Sequence, residues 1–496
     1  MPPSRAHRTG AGRSRGVSAA LIVALWGAAL VANSACAPRG GAATFPAKGS
    51  QPARHGVIRA HGHHFEFADG TPFIALGENR INVYDRTWNY AQLSAPDYVK
   101  YMAENGMTVL RVFIVTDMED EEHGGRPPPG CLEPRLGEFD EEVAQQFDAI
   151  FRAAERHGVY VVLVAFALGF SEDDPWKSWD DNPYAAVRGG PAKTRYDFFS
   201  NPEAKRWAAN RLRYLARRYG GSTHLMAIDL LNEPEWDGAI PEVLWIPWAE
   251  EMARIWRKAD PSGHLVTAGS VGLHWNIEGD ERAWYASSEN DLVQWHLYGK
   301  ETYEVHALSQ ELNRRVRETW QYGKPVLIGE FAWGGEPKPA YDHTHVGIWT
   351  AIFSGAWPLA HSAPPFNVDS DELMTPERAR HFRALRRFLA SLPPMDPEPP
   401  VVRDGVTVYA LRGEEVAALW LLAAEDRYGE QIAGVRVDLG NLRPGCWRIT
   451  WIDDLTGQPL TTAEAEVHGA QTLIDAPPFA RHLAAKLTRC GDTTVR

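Results

Sequence analysis

Apolar residues along the chain form short runs that alternate with stretches of helical spacing. The runs have strand length and predict eight β-strands, at 73–77, 108–115, 160–166, 226–231, 265–268, 292–296, 326–329 and 355–359. Apolar positions three and four residues apart predict helices at 96–105, 141–157, 202–219, 245–259, 304–322, 345–354 and 375–392. This alternation predicts a (β/α)8 barrel. A doubly wound sheet is the alternative, although it would lack its usual glycine-rich phosphate turn.

The pattern changes on both sides of the predicted barrel. Residues 57–73 alternate and turn at Asp69-Gly70, which predicts a hairpin that covers the bottom of the barrel. The proline-rich run 392–400 breaks the helical pattern and marks a boundary. Short alternating strands follow it and predict a small antiparallel all-β sandwich. The chain therefore divides into a barrel domain at 57–392 and a β-sandwich domain at 400–490.

The N-terminus has the pattern of a bacterial export signal over residues 1–36. Four arginines precede the apolar run 18–32, which is short for a permanent membrane span, and an uncleaved anchor is the alternative. Cys36 follows two small residues, as in lipoprotein cleavage sites, but Asn33 stands where such sites usually carry an aliphatic residue. Secretion and membrane attachment through a lipid on Cys36 both stay open. Residues 37–56 predict a flexible linker.

Composition narrows the classes of partner. The 496 residues carry a formal net charge of −13, which argues against nucleic acid because binding to a phosphate backbone needs a basic face. The 19 tryptophans exceed what core filling requires and suit stacking on sugar rings. No Cys/His spacing suggests a zinc site, and the acidic loops lack the ligand spacing of a calcium loop. The sequence therefore predicts a carbohydrate partner and neither a metal nor another cofactor; it does not predict the oligomeric state.

Export implies an oxidising compartment in which cysteines can pair. Cys446 and Cys490 both lie in the predicted β-sandwich domain and could bridge two of its strands. Cys131 is then left alone in a proline-rich loop once Cys36 is removed or acylated.

Two glutamates follow apolar runs of strand length. Asn232-Glu233-Pro234 comes after the fourth predicted strand, and Glu330 follows the seventh. Because the carboxyl ends of parallel barrel strands meet at one rim, we expect the two carboxylates to face one cleft. Cleavage of a glycosidic bond requires such a pair. The alternative is that both glutamates are solvated carboxylates without a function. Their placement at two strand ends, one of them beside an asparagine, would then be a coincidence.

Other polar and aromatic residues fall at the ends of the remaining strands: Arg111, His296-Leu-Tyr298, Gly-Glu330-Phe and Trp357. In this order, together with Asn232-Glu233-Pro, they resemble the clan A retaining glycoside hydrolases. The likeness covers about residues 57–392 and is greatest with the cellulases and mannanases of glycoside hydrolase family 5. Within the β-sandwich domain, residues 445–457 resemble a β-domain that follows many bacterial glycosidase barrels and has been labelled collagen-binding. A packing accessory for the barrel is the interpretation we favour.

The resemblance implies that Glu233 is the acid/base and Glu330 the nucleophile. Arg111 would pair with Glu330 and keep it ionised, and the Tyr298 hydroxyl would donate to the same carboxylate. The charge on Glu330 and apolar burial would then raise the pKa of Glu233. The alternative interpretation of Arg111 is an ordinary interior ion-pair partner.

Three further residues are predicted to contact or orient the sugar. Asn232 would reach the 2-hydroxyl, His296 would orient the carboxylate network, and Trp357 would form the floor of subsite −1. Alternatives are a satisfied core histidine for His296 and packing for Trp357. Trp236 and Trp333, which follow the two glutamates, are predicted to line neighbouring subsites.

One departure and two loops bear on specificity. Family 5 enzymes commonly carry a histidine at the end of the third strand, but here the sequence runs Val-Ala-Phe-Ala-Leu-Gly-Phe over 164–170. The preferred sugar therefore stays open. Long loops at 117–137 and 171–190 are expected to shape substrate access.

These observations predict an exported bacterial β-glycosidase that retains anomeric configuration. Its predicted substrate is a poly- or oligosaccharide of β-linked glucose or mannose. A transglycosylase or an enzyme that remodels cell-envelope glycans would use the same site and stays an alternative. A non-catalytic carbohydrate-binding barrel is disfavoured because both carboxylates and the residues predicted to support them are present.

Overall fold

The computed structural model describes most of the chain from His55 onward. The export signal and most of the linker lie outside the described residues, which all belong to one compact unit. The described ranges are 55–80, 92–115, 131–167, 169–170, 178–237, 239–270, 280–299, 304–333, 342–361, 373–469 and 471–491. No helix in these ranges combines the length and apolar character that crossing a bilayer requires.

Eight parallel strands form the predicted barrel. After a small antiparallel sheet of β1 (Ile58–His61), β2 (His64–Phe67) and β3 (Pro72–Phe73), they are β4 (Gly77–Arg80), β5 (Val109–Val115), β6 (Tyr160–Ala167), β7 (Leu225–Asn232), β8 (Leu265–Gly269), β9 (Val293–Gly299), β10 (Val326–Trp333) and β11 (Ala356–His361). Their order in the sheet is β8-β7-β6-β5-β4-β11-β10-β9. A parallel bridge between Ser270 and Trp295 joins β8 to β9 and closes the barrel. All eight residues of β6 and of β7 are buried, as expected for strands covered on both faces.

Helices follow the strands as predicted. They are α1 (Ala95–Glu104), α2 (Glu141–His157), α3 (Arg195–Ser200), α4 (Pro202–Tyr219), α5 (Pro234–Asp237), α6 (Glu242–Ala259), α7 (Arg282–Ala286), α8 (Val305–Trp320), α9 (Asp342–Ser354) and α10 (Pro376–Leu389). Local sequence sets their ends: α2 begins where the Asp140 carboxylate accepts from two backbone N–H groups, and it ends at Gly158, whose φ is +72°. Between β8 and β9 the described residues contain only the short α7.

The first barrel strand lies four residues later than predicted. Phe73, placed in that strand by its apolar run, instead packs at the bottom of the barrel against Phe67 and Tyr160. The strand itself contains Glu78, Asn79 and Arg80, which are buried. Partners on other elements help to satisfy these polar residues: for example, the Tyr98 hydroxyl lies 2.6 Å from Glu78 Oε2.

The N-terminal hairpin covers the bottom of the barrel, which confirms the prediction. Phe65, Phe67 and Phe73 form one apolar cluster with residues from the N-terminal halves of the barrel strands, including Val109 and Leu327. The rim that the hairpin leaves uncovered is therefore the opposite one, where the strands have their carboxyl ends.

The C-terminal part is antiparallel β-structure, as predicted. Its strands are β12 (Asp396–Pro397), β13 (Val401–Arg403), β14 (Val406–Arg412), β15 (Val416–Ala423), β16 (Arg436–Asp438), β17 (Gly445–Asp453), β18 (Gln458–Val467), β19 (Leu473–Asp475) and β20 (His482–Arg489). Seven of them form one sheet, and β16 pairs with β19 in a second. A disulfide joins Cys446 to Cys490 and confirms that prediction, while Cys131 is a buried free thiol.

The β-structure packs directly on the barrel helices. Trp420 of β15 lies 6.1 Å, between ring centroids, from Trp349 of α9, and it shares the main apolar core of the barrel. Its indole N–H donates to Asp454 at 2.8 Å. This continuous core agrees with a packing role for the C-terminal part.

Candidate active site

The two glutamates meet at the carboxyl ends of their strands. Glu233 directly follows β7 and Glu330 lies in β10, and they are only 8% and 4% exposed. One carboxylate oxygen of each, together with a ring nitrogen of His296, lie within 4.8 Å of one another. The expected convergence of two distant chain segments is thus present.

Glu233 has an unusual backbone conformation. Its φ is +42°, in the left-handed region that non-glycine residues rarely adopt. Its N–H donates to the Gly269 carbonyl on the neighbouring strand β8 at 2.9 Å, which holds the turn in place. Such a conformation costs on the order of 1–3 kcal/mol and is concentrated at functional sites. The strain supports a functional role for the side chain that this turn directs.

Arg111 is the centre of the site. Its Nε and Nη2 donate to Asp229 Oδ2 at 2.9 and 2.8 Å, and Nη2 also donates to Asn232 Oδ1 at 2.7 Å. Its Nη1 donates to Glu330 Oε1 at 2.6 Å and to Asn79 Oδ1 at 2.8 Å. All five guanidinium hydrogens are therefore used. The predicted pairing of Arg111 with Glu330 is confirmed.

Asp229 holds the Arg111 guanidinium in place, and the sequence analysis did not identify this residue. It is fully buried, and besides Arg111 it accepts from Gln294 Nε2 at 2.7 Å and from the Gly269 N–H at 3.1 Å. Burial would lower the pKa of Arg111, but Asp229 and Glu330 outweigh it and raise that pKa. The sequence offered one indication of its role, namely that Asp229 is a charged residue inside the apolar run before Asn232.

Glu330 is held as a carboxylate. Burial alone would raise its pKa, but the His296 ring, the Arg111 guanidinium, the His361 ring and a hydrogen bond from Tyr298 outweigh burial and hold the pKa below its usual range. The Tyr298 hydroxyl donates to Oε2, as predicted. These contacts favour the ionised form of Glu330.

His296 lies between the two carboxylates. Its Nδ1 hydrogen-bonds to Glu233 Oε1 and lies 3.7 Å from Glu330 Oε1. Two glycines give the ring its space, because a Cβ at Gly329 or Gly269 would come within 2.8 or 3.0 Å of its Nε2. The predicted contact of His296 with the carboxylate network is present, in place of the alternative of a histidine satisfied elsewhere in the core.

The prediction for Trp357 is wrong. Trp357 is the second residue of β11 and lies at the bottom of the barrel, where its indole N–H donates to the His63 carbonyl at 3.3 Å and its ring packs against Phe65. A residue at the start of a barrel strand cannot reach the rim where the glutamates lie, so Trp357 is a packing residue. The carboxyl end of β11 is His361, whose Nδ1 lies 3.5 Å from Glu330 Oε2.

The aromatic residues after the third and fourth barrel strands differ in exposure. Phe170 is buried in an aromatic cluster with Phe198 and Trp179, so Trp179 is a core residue. Trp236 is 46% exposed just after Glu233. The side chain of Trp333 and the loops at 116–130 and 171–177 lie outside the described residues.

Among the described residues, two groups of buried side chains have donor types that suit a divalent cation. One is Glu233, His296 and Glu330; the other is His345, Asp454 and His482, which are buried between the barrel and the C-terminal strands. In the second group direct hydrogen bonds use these atoms: His482 Nδ1 lies 2.7 Å from one Asp454 oxygen and His345 Nε2 lies 3.3 Å from the other. In the first, His296 and Glu233 are bonded directly. Direct hydrogen bonds therefore join members of both groups to one another.

Comparison with known proteins identifies the family. The sequence model of Cellulase (glycosyl hydrolase family 5) matches residues 68–353, more than half of the chain. Mannan endo-1,4-beta-mannosidase 3 of Oryza sativa subsp. japonica is 25% identical over 332 residues, which cover 58% of this chain and 68% of that protein. The probable mannan endo-1,4-beta-mannosidase F of Aspergillus flavus is 25% identical over 250 residues, 47% of this chain and 50% of that relative, so the match spans half of the relative's length.

A solved structure extends the likeness to most of the fold. The crystal structure of a glycoside hydrolase family 5 protein from Bacteroides vulgatus ATCC 8482 superposes with a TM-score of 0.60 at 15% sequence identity. The match covers 90% of this chain and 95% of that one. At this identity the likeness concerns the fold, and the family follows from the sequence match. This chain belongs to glycoside hydrolase family 5 and is an O-glycosyl hydrolase.

Proposed function

We propose that the protein is a retaining β-glycosidase in which Glu330 is the nucleophile and Glu233 the acid/base. The observation that carries this proposal is the close approach of the two carboxylates, with oxygens within 4.8 Å of one another. Retaining enzymes place their carboxyl groups about 5 to 5.5 Å apart, whereas inverting enzymes need about 6.5 to 9.5 Å to admit a water molecule. The approach supports the retaining arrangement.

The different surroundings of the two glutamates support their different roles. Glu330 has the guanidinium of Arg111 and the hydroxyl of Tyr298 on its two oxygens, so it is a fixed carboxylate aimed at the cleft. Among the described residues no guanidinium bonds to Glu233; its bonded partner is His296. A fixed anion suits the nucleophile, and a group free to hold or release a proton suits the acid/base.

The proposed reaction has two steps. In the first, Glu330 Oε attacks the anomeric carbon while Glu233 gives its proton to the glycosidic oxygen, which leaves with the aglycone. An ester joins the sugar to Glu330, and Glu233 is now a carboxylate. In the second step Glu233 takes a proton from water, the hydroxide oxygen attacks the anomeric carbon, and the Glu330 carboxylate leaves. Both residues return to their initial state, and two inversions give net retention.

Asn232 is suited to bind the sugar next to the bond that breaks. Its Oδ1 accepts from Arg111, which can only donate, so the amide N–H2 group is turned away from Arg111. This orientation offers hydrogen-bond donors to the oxygen of a sugar 2-hydroxyl, a contact that strengthens in the oxocarbenium-like transition state. His296 would hold Glu233 in position through its Nδ1.

The substrate we propose is a β-linked mannan, with β-linked glucans as the second choice. Both relatives named above are mannan endo-1,4-beta-mannosidases by their names. The disulfide in the C-terminal part supports the proposed export, because such bonds persist in oxidising compartments. Secretion or attachment through Cys36 completes the proposal.

Activity of paired variants tests the assignment. On aryl β-mannosides, aryl β-glucosides and β-mannan, we expect Glu233→Ala and Glu330→Ala to lose at least roughly a hundredfold. Azide should rescue Glu233→Ala on activated substrates, giving a glycosyl azide of retained configuration. Glu281→Gln is the matched control, because Glu281 is also buried but bonds to Tyr285. Wild-type activity in either alanine variant would contradict the proposal, and product analysis with added acceptor separates hydrolysis from transglycosylation.

A further inference from the structure

His361 occupies the rim position of the eighth barrel strand. It is the last residue of β11 and lies opposite Asn79 of β4 in the parallel register. It is 5% exposed. Its Nδ1 lies 3.0 Å from Asn79 Nδ2 and 3.5 Å from Glu330 Oε2. The ring also stands edge-on to Tyr298, with 5.7 Å between centroids. One imidazole nitrogen is thus shared between an amide and the proposed nucleophile.

The protonation state of that nitrogen follows from Arg111. A guanidinium has only donors, so the Asn79 oxygen must face Arg111, which lies 2.8 Å away. The Asn79 amide hydrogens then face His361, and Nδ1 must accept one of them. An imidazole that accepts at Nδ1 carries its single proton on Nε2 and is neutral. The permanent charge of Arg111 therefore selects the neutral form of His361 through one intervening amide.

Protonation of His361 would change its partner. A hydrogen on Nδ1 would face the donating hydrogens of Asn79, which is repulsive, whereas Glu330 Oε2 offers a negatively charged acceptor nearby. The ring would leave Asn79 and bind Glu330 in a charge-assisted hydrogen bond. That bond would occupy the oxygen and charge that the nucleophile needs for attack on the anomeric carbon. The neutral ring leaves the hydrogen bonds from Arg111 and Tyr298 to Glu330 unchanged.

Charged and titratable groups face His361 from several elements. Among the described residues these are Glu330 from β10, Tyr298 and His296 from β9, and Arg111 from β5, reached through Asn79; Arg378 of α10 donates to the His361 carbonyl at 2.9 Å. Arg111 and the Tyr298 hydroxyl both donate to Glu330, which favours its charged form without a charge on His361.

We propose that His361 is a positioning residue for Glu330, active as the neutral acceptor of Asn79, and that its protonation produces the acid limb of the pH–activity profile. This inference rests on the proposed function, because it takes Glu330 as the nucleophile. It adds a residue that the likeness to family 5 did not supply, since the aromatic residue expected at this strand lies at the bottom of the barrel.

Two substitutions separate positioning from packing. His361→Asn places an amide oxygen near the position of Nδ1, so it can accept from Asn79 but cannot titrate. We expect it to keep kcat/KM within about fivefold of wild type at neutral pH and to move the acid limb down by at least about one pH unit. His361→Phe fills the space without an acceptor and should lose at least about tenfold in kcat. Rescue by asparagine and not by phenylalanine is the signature of the acceptor.

The control is His224→Asn. His224 is also a buried histidine, but it stacks on Tyr160 at the bottom of the barrel. We expect the acid limb of the pH–activity profile of His224→Asn to match that of the wild type. An unchanged acid limb in His361→Asn, or wild-type kcat in His361→Phe, would overturn the inference. Thermal melting of each variant checks that the fold is retained.

A spectroscopic readout keeps this test independent of the proposed function. In protein labelled with 15N at histidine, the ring signals that disappear in His361→Asn belong to His361. At neutral pH they should show a neutral ring protonated at Nε2. A ring protonated at Nδ1, or at both nitrogens, would overturn the inference even if Glu233→Ala and Glu330→Ala behave as proposed. Activity in those two variants would instead remove the nucleophile assignment and leave the tautomer result standing.

Discussion

Replacing Asp229 with asparagine removes one negative charge from beneath Arg111 with almost no change of shape. Asp229 is completely buried and accepts four hydrogen bonds, three on Oδ2 and one on Oδ1. An asparagine amide can place its oxygen where Oδ2 lies, but its N–H2 group then faces the N–H of Gly269. One donor is left against another donor, and Arg111 loses its principal counter-charge.

The expected cost follows from these contacts. Breaking a buried ion pair by removing one partner costs about 3–5 kcal/mol, and an unsatisfied buried donor costs about 1–3 kcal/mol, which overlaps with that figure. We therefore expect Asp229→Asn to lower the free energy of unfolding by about 3–5 kcal/mol. A guanidinium that shifts by a few tenths of an ångström would misplace Glu330 and Asn232 together, so kcat/KM should fall by roughly 10- to 100-fold.

Urea denaturation and steady-state kinetics measure the two effects separately. The matched control is Asp260→Asn at the end of α6, where the carboxylate accepts from the backbone of Ser262 and His264. This control should lose stability and keep the kcat/KM of the folded fraction. The reasoning is refuted if Asp229→Asn unfolds within about 0.5 kcal/mol of wild type, or if its kcat/KM equals that of Asp260→Asn.

Three further predictions concern stability and catalysis. Burial lowers the pKa of His345 from 6.5 to about 4, so between these pH values the unfolded chain binds a proton that the folded protein does not. The free energy of unfolding should therefore fall by on the order of 3 kcal/mol from pH 6.5 to 4. Denaturation of His345→Gln measured at a series of pH values should show a smaller fall over this range. Tyr298→Phe removes a hydrogen bond to the charged Glu330, and kcat on aryl glycosides should fall roughly 10- to 100-fold with the fold intact. Replacing Cys446 and Cys490 by serine opens a loop of 44 residues and should lower the free energy of unfolding by about 2–4 kcal/mol in denaturant titrations.

The barrel could be predicted from the sequence because parallel strands are buried on both faces. β6 and β7 are apolar along nearly their whole length, so their positions are visible without knowledge of their neighbours. Once the strands are placed, the barrel topology brings Glu233 and Glu330 to one rim. Their convergence therefore follows from the alternation of elements, and so does the contact of Arg111 with Glu330.

The exact ends of strands could not be predicted. β4 begins four residues late in comparison with its apolar run, because Glu78 and Asn79 are buried by partners on other elements that the local sequence does not reveal. For β11 the apolar pattern predicted a strand that ends before His361, whereas the observed strand includes this residue. Trp357 was consequently assigned to the rim although it lies at the opposite end.

Contacts between distant segments were also outside the reach of the pattern. Asp229 and Gln294 each lie in runs that predict only buried strands, and their pairing depends on the register across β7, β8 and β9. The network of His345, Asp454 and His482 joins a barrel helix to two segments of the C-terminal part. No spacing in the sequence indicates that these side chains meet.

Trapping the covalent intermediate tests the central claim most directly. An activated 2-deoxy-2-fluoro-β-mannoside or glucoside should form the glycosyl ester and slow its hydrolysis, because fluorine destabilises the oxocarbenium-like transition states of both steps. Peptide mapping by mass spectrometry should then find one fluorosugar on the peptide that contains Glu330, and none in Glu330→Ala. A label on another residue, or a product of inverted configuration released without any covalent species, would contradict the double displacement at Glu330.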